Sequence, residues 1–231
     1  MMFQGPDYIY QCPHCSKLLK NKSLLTPNMG GAMHFSDGKC EGPMCAVPDL
    51  TKCYNCNTIF WLSDLQALRT VDTKKRKTHI WIAATYVDFL NLEDLFRALL
   101  MYRTEKRMIL IRQWIWWAYN DRVRNTKKSF IKDGRRAWFS DDFHYAILEN
   151  TNIFLNGKDQ KLWEENCREL LKLLNRKERS QIIMIAELHR NLGLFRRCKT
   201  ILNPLPRKYD WIKIRFEEQC SMKNRLVFRL A

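Results

Sequence analysis

Two cysteine pairs, Cys12-Pro-His-Cys15 and Cys53-Tyr-Asn-Cys56, carry the clearest chemistry in the chain. Two residues between thiolates let one tight turn aim both sulfurs at a single point, with backbone N–H groups of that turn placed to donate to them. Two such knuckles, here separated by a 37-residue spacer, close a tetrahedral S4 site, the geometry of structural zinc. Ser16 and Asn57 follow the pairs, at the position usually given to Gly, and Asn tolerates the left-handed backbone a knuckle often needs. Tyr8 and Tyr10 stand ahead of the first knuckle, and Phe60 and Trp61 behind the second. These flanks give a small metal-held sheet something to bury. Within the spacer, Gly30-Gly31 and the turn Ser36-Asp37-Gly38-Lys39 read as an additional hairpin.

Residues 8–62 resemble the zinc-ribbon superfamily, in the rubredoxin-like layout of two knuckles on opposed hairpins. The likeness rests on the four cysteines and their flanks, and the spacer is long for a minimal ribbon. It implies a β module whose cofactor is structural zinc held by Cys12, Cys15, Cys53 and Cys56. An S4 site also accepts iron, and spacing does not separate the two metals. A rival reading starts from Cys-Pro-His-Cys, which is similar to the active site of periplasmic thiol oxidases. That chemistry needs a βαβ frame, whereas Asn21, Pro27 and two glycines follow here. His34, Cys40 and Cys45 could join His14 in a second metal site, or be plain loop residues.

The chain has 231 residues, nine cysteines, 8 Gly and 7 Pro, with 46% hydrophobic and 28% charged residues. Such a composition excludes disordered and collagen-like classes and disfavours a turn-rich all-β protein. No apolar run is long enough to cross a membrane, and no secretory signal is visible. A reducing, cytoplasmic setting follows, where clustered cysteines signal metal more often than disulfides.

After the ribbon the pattern turns helical. Residues 79–90 are β-branched and aromatic, and fit a strand or the start of a helix. Asn91, with Glu93 and Asp94 behind it, opens a helix to about Met101. Thr104 and Glu105 open another to about Arg124, apolar on nearly every side and so expected at the centre of a core. Arg112, Trp116, Asn120 and Arg124 form a polar strip on it at i+4 spacing. That strip fits a pocket for a ligand or partner, a satisfied buried network, or a water-facing edge. Residues 122–136 read as a loop or short hairpin, and 139–152 as a helix capped by Ser140. Four apolar stripes follow, through Trp163–Leu174, Ile182–Leu192, Leu194–Leu202 and Ile212–Cys220. Cys167, Cys198 and Cys220 lie on these stripes as buried thiols, and His189 as a satisfied core residue. Arg225–Leu230 alternates weakly, as a short terminal strand.

Ala186-Glu-Leu-His-Arg-Asn-Leu-Gly193-Leu-Phe195, with Cys198 and Ile201-Leu202, resembles one helical hairpin of the tetratricopeptide type at 180–203. A ribbon followed by the strings WWAYNDRVR and AELHRNLGLF is similar in layout to bacterial proteins whose likeness implies no function. The expected architecture is α+β. It places a zinc-ribbon module at 1–70, a basic connector with a short extended segment at 71–90, and a helical domain at 91–231.

Charge is uneven. The net of +16 divides into +1 for residues 1–70, +9 for 71–136 and +6 for 137–231. Lys74, Lys75, Arg76, Lys77, Arg122, Arg124, Lys127, Lys128, Arg135 and Arg136 are the candidate phosphate contacts, with Trp138 and Phe139 beside the last two for stacking. The chain lacks G-x-S-x-G, P-loop, G-x-G-x-x-G and H-E-x-x-H motifs, and its adjacent carboxylates point to different helix faces. The expectation is a non-enzymatic, zinc-binding interaction module. A protein partner comes first, nucleic acid is the alternative, and neither a membrane nor a small-molecule substrate is expected.

Overall fold

The computed structural model describes residues 5–24, 32–42, 47–72, 78–130 and 154–230. The fold is α+β, with short strands through the N-terminal part and helices after it. The chain divides into two compact units, Met1–Ala32 with Cys40–Ala98, and Met33–Lys39 with Leu99–Ala231.

In the first unit, β1 (Asp7–Gln11) pairs antiparallel with β2 (Leu18–Asn21), Ile9 opposite Lys20. β4 (Cys40–Glu41) follows the spacer turn, whose other flank, β3 (Met33–His34), belongs to the second unit. β5 (Leu50–Lys52) and β6 (Ile59–Trp61) form a second antiparallel hairpin, Thr51 opposite Phe60. β7 (Arg69–Val71) adds antiparallel to the free edge of β1. The ambiguous run at 79–90 divides between both expectations: α1 (His79–Ala83) is helical, and β8 (Thr85–Tyr86) joins β2 in parallel. Alternation on β1 puts Ile9 into a cluster with Val71 and Ala84. Asp7, on the same face, is buried and accepts from Trp81 Nε1 at 2.7 Å and the Tyr86 hydroxyl at 2.9 Å. α2 (Leu92–Met101) opens on the expected cap, Asn91 Oδ1 accepting from Asp94 N at 2.9 Å.

The second unit is built on α3 (Glu105–Phe130), in which no residue from Arg107 to Arg124 is exposed. An all-round apolar helix belongs at such a centre. The backbone continues helical to Phe130, which corrects the loop expected from residue 122. Neither Gly nor Pro interrupts 105–130, and buried Val123 and Arg124 carry the packing past the apolar run. The helix expected at 139–152 lies outside the described residues.

α4 (Gly157–Leu173) follows, its N-terminus closed by Asn156 Oδ1 accepting from Asp159 N. Then come α5 (Arg179–Asn191), α6 (Phe195–Leu202), a 3-10 turn (Arg207–Tyr209) and α7 (Asp210–Ser221). Gly193, at φ +76°, reverses the chain between α5 and α6, a conformation open to Gly without strain. α3 packs on α4, α5 on α6, and α6 on α7. Ala186, Cys198, Leu202, Ile212, Phe216, Cys220 and Phe228 make the common core. The expected stripe on α5 is too narrow: every residue from Ile185 to Asn191 is buried, Glu187 and Arg190 included.

Those two charges satisfy each other and their surroundings. Arg190 Nε donates to Glu187 Oε2 at 2.8 Å, and its terminal nitrogens donate to the carbonyls of Asn224 and Leu226. Glu187 Oε1 accepts from Ser36 Oγ at 2.7 Å. Ser36 N in turn donates to Phe228 O, and Leu230 N to His34 O. The terminal strand expected at 225–230 reduces to a single antiparallel bridge, Phe35 with Arg229.

Candidate metal centre

Each knuckle is the connection of a hairpin, and the two repeat the same backbone plan. After β1, Cys12 N donates to Lys17 O at 2.9 Å and Ser16 N to Cys12 O at 3.0 Å. After β5, Cys53 N donates to Thr58 O and Asn57 N to Cys53 O, both at 2.9 Å. Such a turn closes only with a left-handed residue after the second cysteine. Ser16 and Asn57 take that role at φ 60° and 58°. Hydrogen bonds at both ends leave the two thiols of each pair on one side of their turn.

The two pairs meet. Cys12 Sγ lies 3.7 Å from Cys56 Sγ and Cys15 Sγ 3.5 Å from Cys53 Sγ, and all four sulfurs fall within 4.8 Å of one another. A metal about 2.3 Å from four tetrahedral sulfurs sets them roughly 3.8 Å apart, whereas a disulfide needs about 2.05 Å. The observed spacing leaves room for a shared cation. Leu19, Phe60 and Leu62 pack on Cys12 and Cys53, with Tyr10 and Leu65 at the border. Of the four aromatics flagged in the sequence, Tyr10 and Phe60 line this cluster.

Comparison with family models, with curated proteins and with solved structures finds no match. Burial pushes the Cys12 thiol up to about 12, against backbone N–H groups of Cys15 and His14 that favour its thiolate. The Thr58 hydroxyl, 3.3 Å away, and the Thr58 backbone N–H hold Cys56 down to about 6. The Lys17 backbone N–H lowers Cys15 as well. Thiolates are thus stabilised at Cys15 and Cys56 and opposed by burial at Cys12. A divalent cation held by Cys12, Cys15, Cys53 and Cys56 would supply the charge that offsets this burial. The cluster can hold a metal ion, and S4 donors suit zinc or iron.

Among the described residues this is the one group of three or more His, Cys, Asp or Glu placed to hold a metal. His14, His34 and Cys40 join no such group there, and Cys45 lies outside the described residues.

The polar strip of α3 turns inward. Arg112 and Asn166 bond reciprocally, Arg112 Nη1 to Asn166 Oδ1 at 3.3 Å and Asn166 Nδ2 to Arg112 O at 2.9 Å. Trp116 Nε1 donates to Asn191 Oδ1 at 2.8 Å. Asn120 Nδ2 and Arg124 Nη1 both donate to Asp37 Oδ2 at 2.8 Å. Of the three readings, the buried network fits these contacts. Asp37 itself sits in the spacer turn, where its Oδ1 accepts from Lys39 N.

The same contacts correct part of the basic surface. Arg124 has a side chain 1% exposed and faces Asp37 and Asp121, so it is no phosphate contact. Arg122 is paired with Asp159. Lys74–Lys77, Arg135, Arg136 and the side chains of Lys127 and Lys128 lie outside the described residues. A different set of cations emerges on α6 and the 3-10 turn. Arg196, Arg197, Arg207 and Lys208 are exposed and Lys199 half-buried, and none has an ion pair among the described residues. One signal would have found them: from Leu188 to Tyr209 the chain holds six Lys and Arg and no Asp or Glu. Counting charge over the whole C-terminal part hid that run among the acids of α4 and α7.

Proposed function

We propose that the chain is a non-enzymatic interaction module whose first unit is a zinc ribbon held by structural zinc on Cys12, Cys15, Cys53 and Cys56. The spacing of the four sulfurs carries this reading. Supporting it, the buried carboxylates Asp37, Asp94 and Glu187 each face Arg or Lys, and buried Asp7 is engaged by Trp81 and Tyr86, rather than standing free for acid–base work. No helix among the described residues is long and apolar enough to cross a membrane. Metal analysis of the purified full chain tests the reading. One zinc per chain is expected, falling to none in Cys53→Ser with loss of the first unit's fold. A coloured, redox-active iron centre would replace structural zinc by iron. An absence of any bound metal would overturn the proposal.

As to partner, a protein seated on the helical unit remains the broader reading, supported by exposed Trp211 and Ile214 on α7. A specific observation favours nucleic acid as the second: the unpaired cations of α6.

A further inference from the structure

We infer that the outward face of α6, continued by the 3-10 turn and Trp211, binds single-stranded nucleic acid. This rests on the interaction-module reading above and names its partner. α6 is sandwiched by its own core contacts. Cys198 and Leu202 point inward to α5 and α7, which leaves Arg196 near the middle of the opposite face. Arg197 and Lys199 flank it. Arg197 lies toward α5, where its charge bears on His189, and Lys199 toward α7, where its charge bears on Cys220. The three cations lie within about 5 Å along the helix axis, and Arg207 and Lys208 follow in the chain past Pro204 and Pro206.

Three features separate this face from a generic basic surface. Several exposed cations elsewhere in the unit face a carboxylate: Arg168 faces Glu164, Lys172 faces Glu169 and Arg215 faces Glu218. Here no carboxylate interrupts the row, and the next acid, Asp210, is taken up by Lys213 at 3.0 Å. Second, an exposed aromatic follows these cations in the chain. Trp211, the second residue of α7, is 49% exposed, and Tyr209 in the 3-10 turn carries the Lys208 ammonium 5.1 Å from its ring centroid. A stacking ring beside a file of unpaired cations is what a flexible strand needs, because every base offers a π face and every linkage a phosphate. Third, the charge is held on packed secondary structure, not on long loops, so little ordering is required on binding.

Fluorescence anisotropy of a labelled oligo-dT or oligo-U of about twelve nucleotides, titrated with the full metal-loaded chain, tests the inference. Five phosphate contacts on a single strand give a log–log salt slope of about −3.5, or roughly a hundredfold loss of affinity between about 50 and 200 mM salt. Arg196→Glu with Arg197→Glu is expected to weaken binding more than tenfold and flatten the slope. Lys158→Glu with Lys161→Glu, the same charge change on exposed positions of α4, is the control. Trp211→Ala is expected to cost at least about fivefold without changing the slope. Equal effects of the two double variants, or a salt-independent isotherm, would overturn the inference. Displacement of the oligonucleotide by an equimolar poly-glutamate peptide would overturn it in favour of an acidic protein partner. Zinc content and thermal midpoint of the same sample read the proposed function separately. A zinc-loaded, folded chain that ignores the oligonucleotide sinks only the inference, and a metal-free chain that binds it sinks only the zinc module.

Discussion

Replacing Asp37 by Asn removes the charge that Arg124 faces while keeping the side chain's shape and one acceptor. The two groups are 0% and 1% exposed and 2.8 Å apart. Burial opposes the Arg124 charge, yet Asp37 and Asp121 raise its pKa above the ordinary value. Removing one member of such a pair costs about 3–5 kcal/mol, because the other charge is left buried. Arg124 retains Asp121 at 2.7 Å and the Trp117 carbonyl at 3.2 Å, which places the expectation near the lower end, about 3 kcal/mol. Asp121→Asn is the internal comparison. Asp121 is 30% exposed and its loss leaves Arg124 on Asp37, so about 1 kcal/mol is expected. Urea unfolding of the full chain, followed by far-ultraviolet circular dichroism, reads the helices of the second unit. Adding Arg124→Met to Asp37→Asn deletes the stranded charge, so the double variant should recover more than about 1 kcal/mol of the single loss. An Asp37→Asn cost no larger than that of Asp121→Asn, or additive effects in the double variant, would refute the buried-pair argument.

Further outcomes are expected. Ser16→Gly should stabilise the chain by about 1 kcal/mol in the same unfolding assay, since Gly occupies the left-handed knuckle position without a Cβ clash. Glu187→Gln should destabilise by about 3 kcal/mol or more, as it strands Arg190 where no water reaches, with hydrogen exchange showing early opening of α5 and the 224–228 segment. Burial, reinforced by nearby Arg176 and Arg197, lowers the pKa of His189. The unfolded chain then takes up this proton first. Stability from this group is full above the ordinary value near 6.5 and falls as pH drops through it, by at most about 1.4 kcal/mol per pH unit. His189→Gln should flatten that slope in melts between mildly acidic and neutral pH.

The cysteine spacing, the left-handed residues after each knuckle, the cap at Asn91 and the central place of α3 were all legible in sequence, because each depends on residues close along the chain. What stayed hidden depended on distant partners. Arg124 looked like a surface cation because nothing nearby announced Asp37, 87 residues away. Glu187 and Arg190 fit an exposed i,i+3 pair, and only Ser36 and the terminal carbonyls, from both ends of the chain, make their burial tolerable. His189 was expected as a satisfied core residue, yet neither ring nitrogen has a hydrogen-bond partner among the described residues. For 122–136, weak periodicity and a Lys-Asp-Gly turn suggested a loop or short hairpin, whereas the backbone is helical to Phe130, since Lys and Arg are good helix formers.

The spacer turn has a consequence for the order in which the chain is assembled. The polypeptide passes between its two compact units three times, at residues 32–33, 39–40 and 98–99. During synthesis the sulfur cluster is complete once Cys56 has emerged. Ser36 and Asp37 then remain without Arg124 and Glu187 until most of the chain has followed. The early knot of thiols pins both ends of the excursion, so that the turn waits as a short tethered loop instead of searching as part of a free coil. A fragment beginning at Leu99 would lack this piece altogether. The helical unit is in this sense not a separable cassette: its last buried contact is delivered from a stretch made long before the helices that receive it.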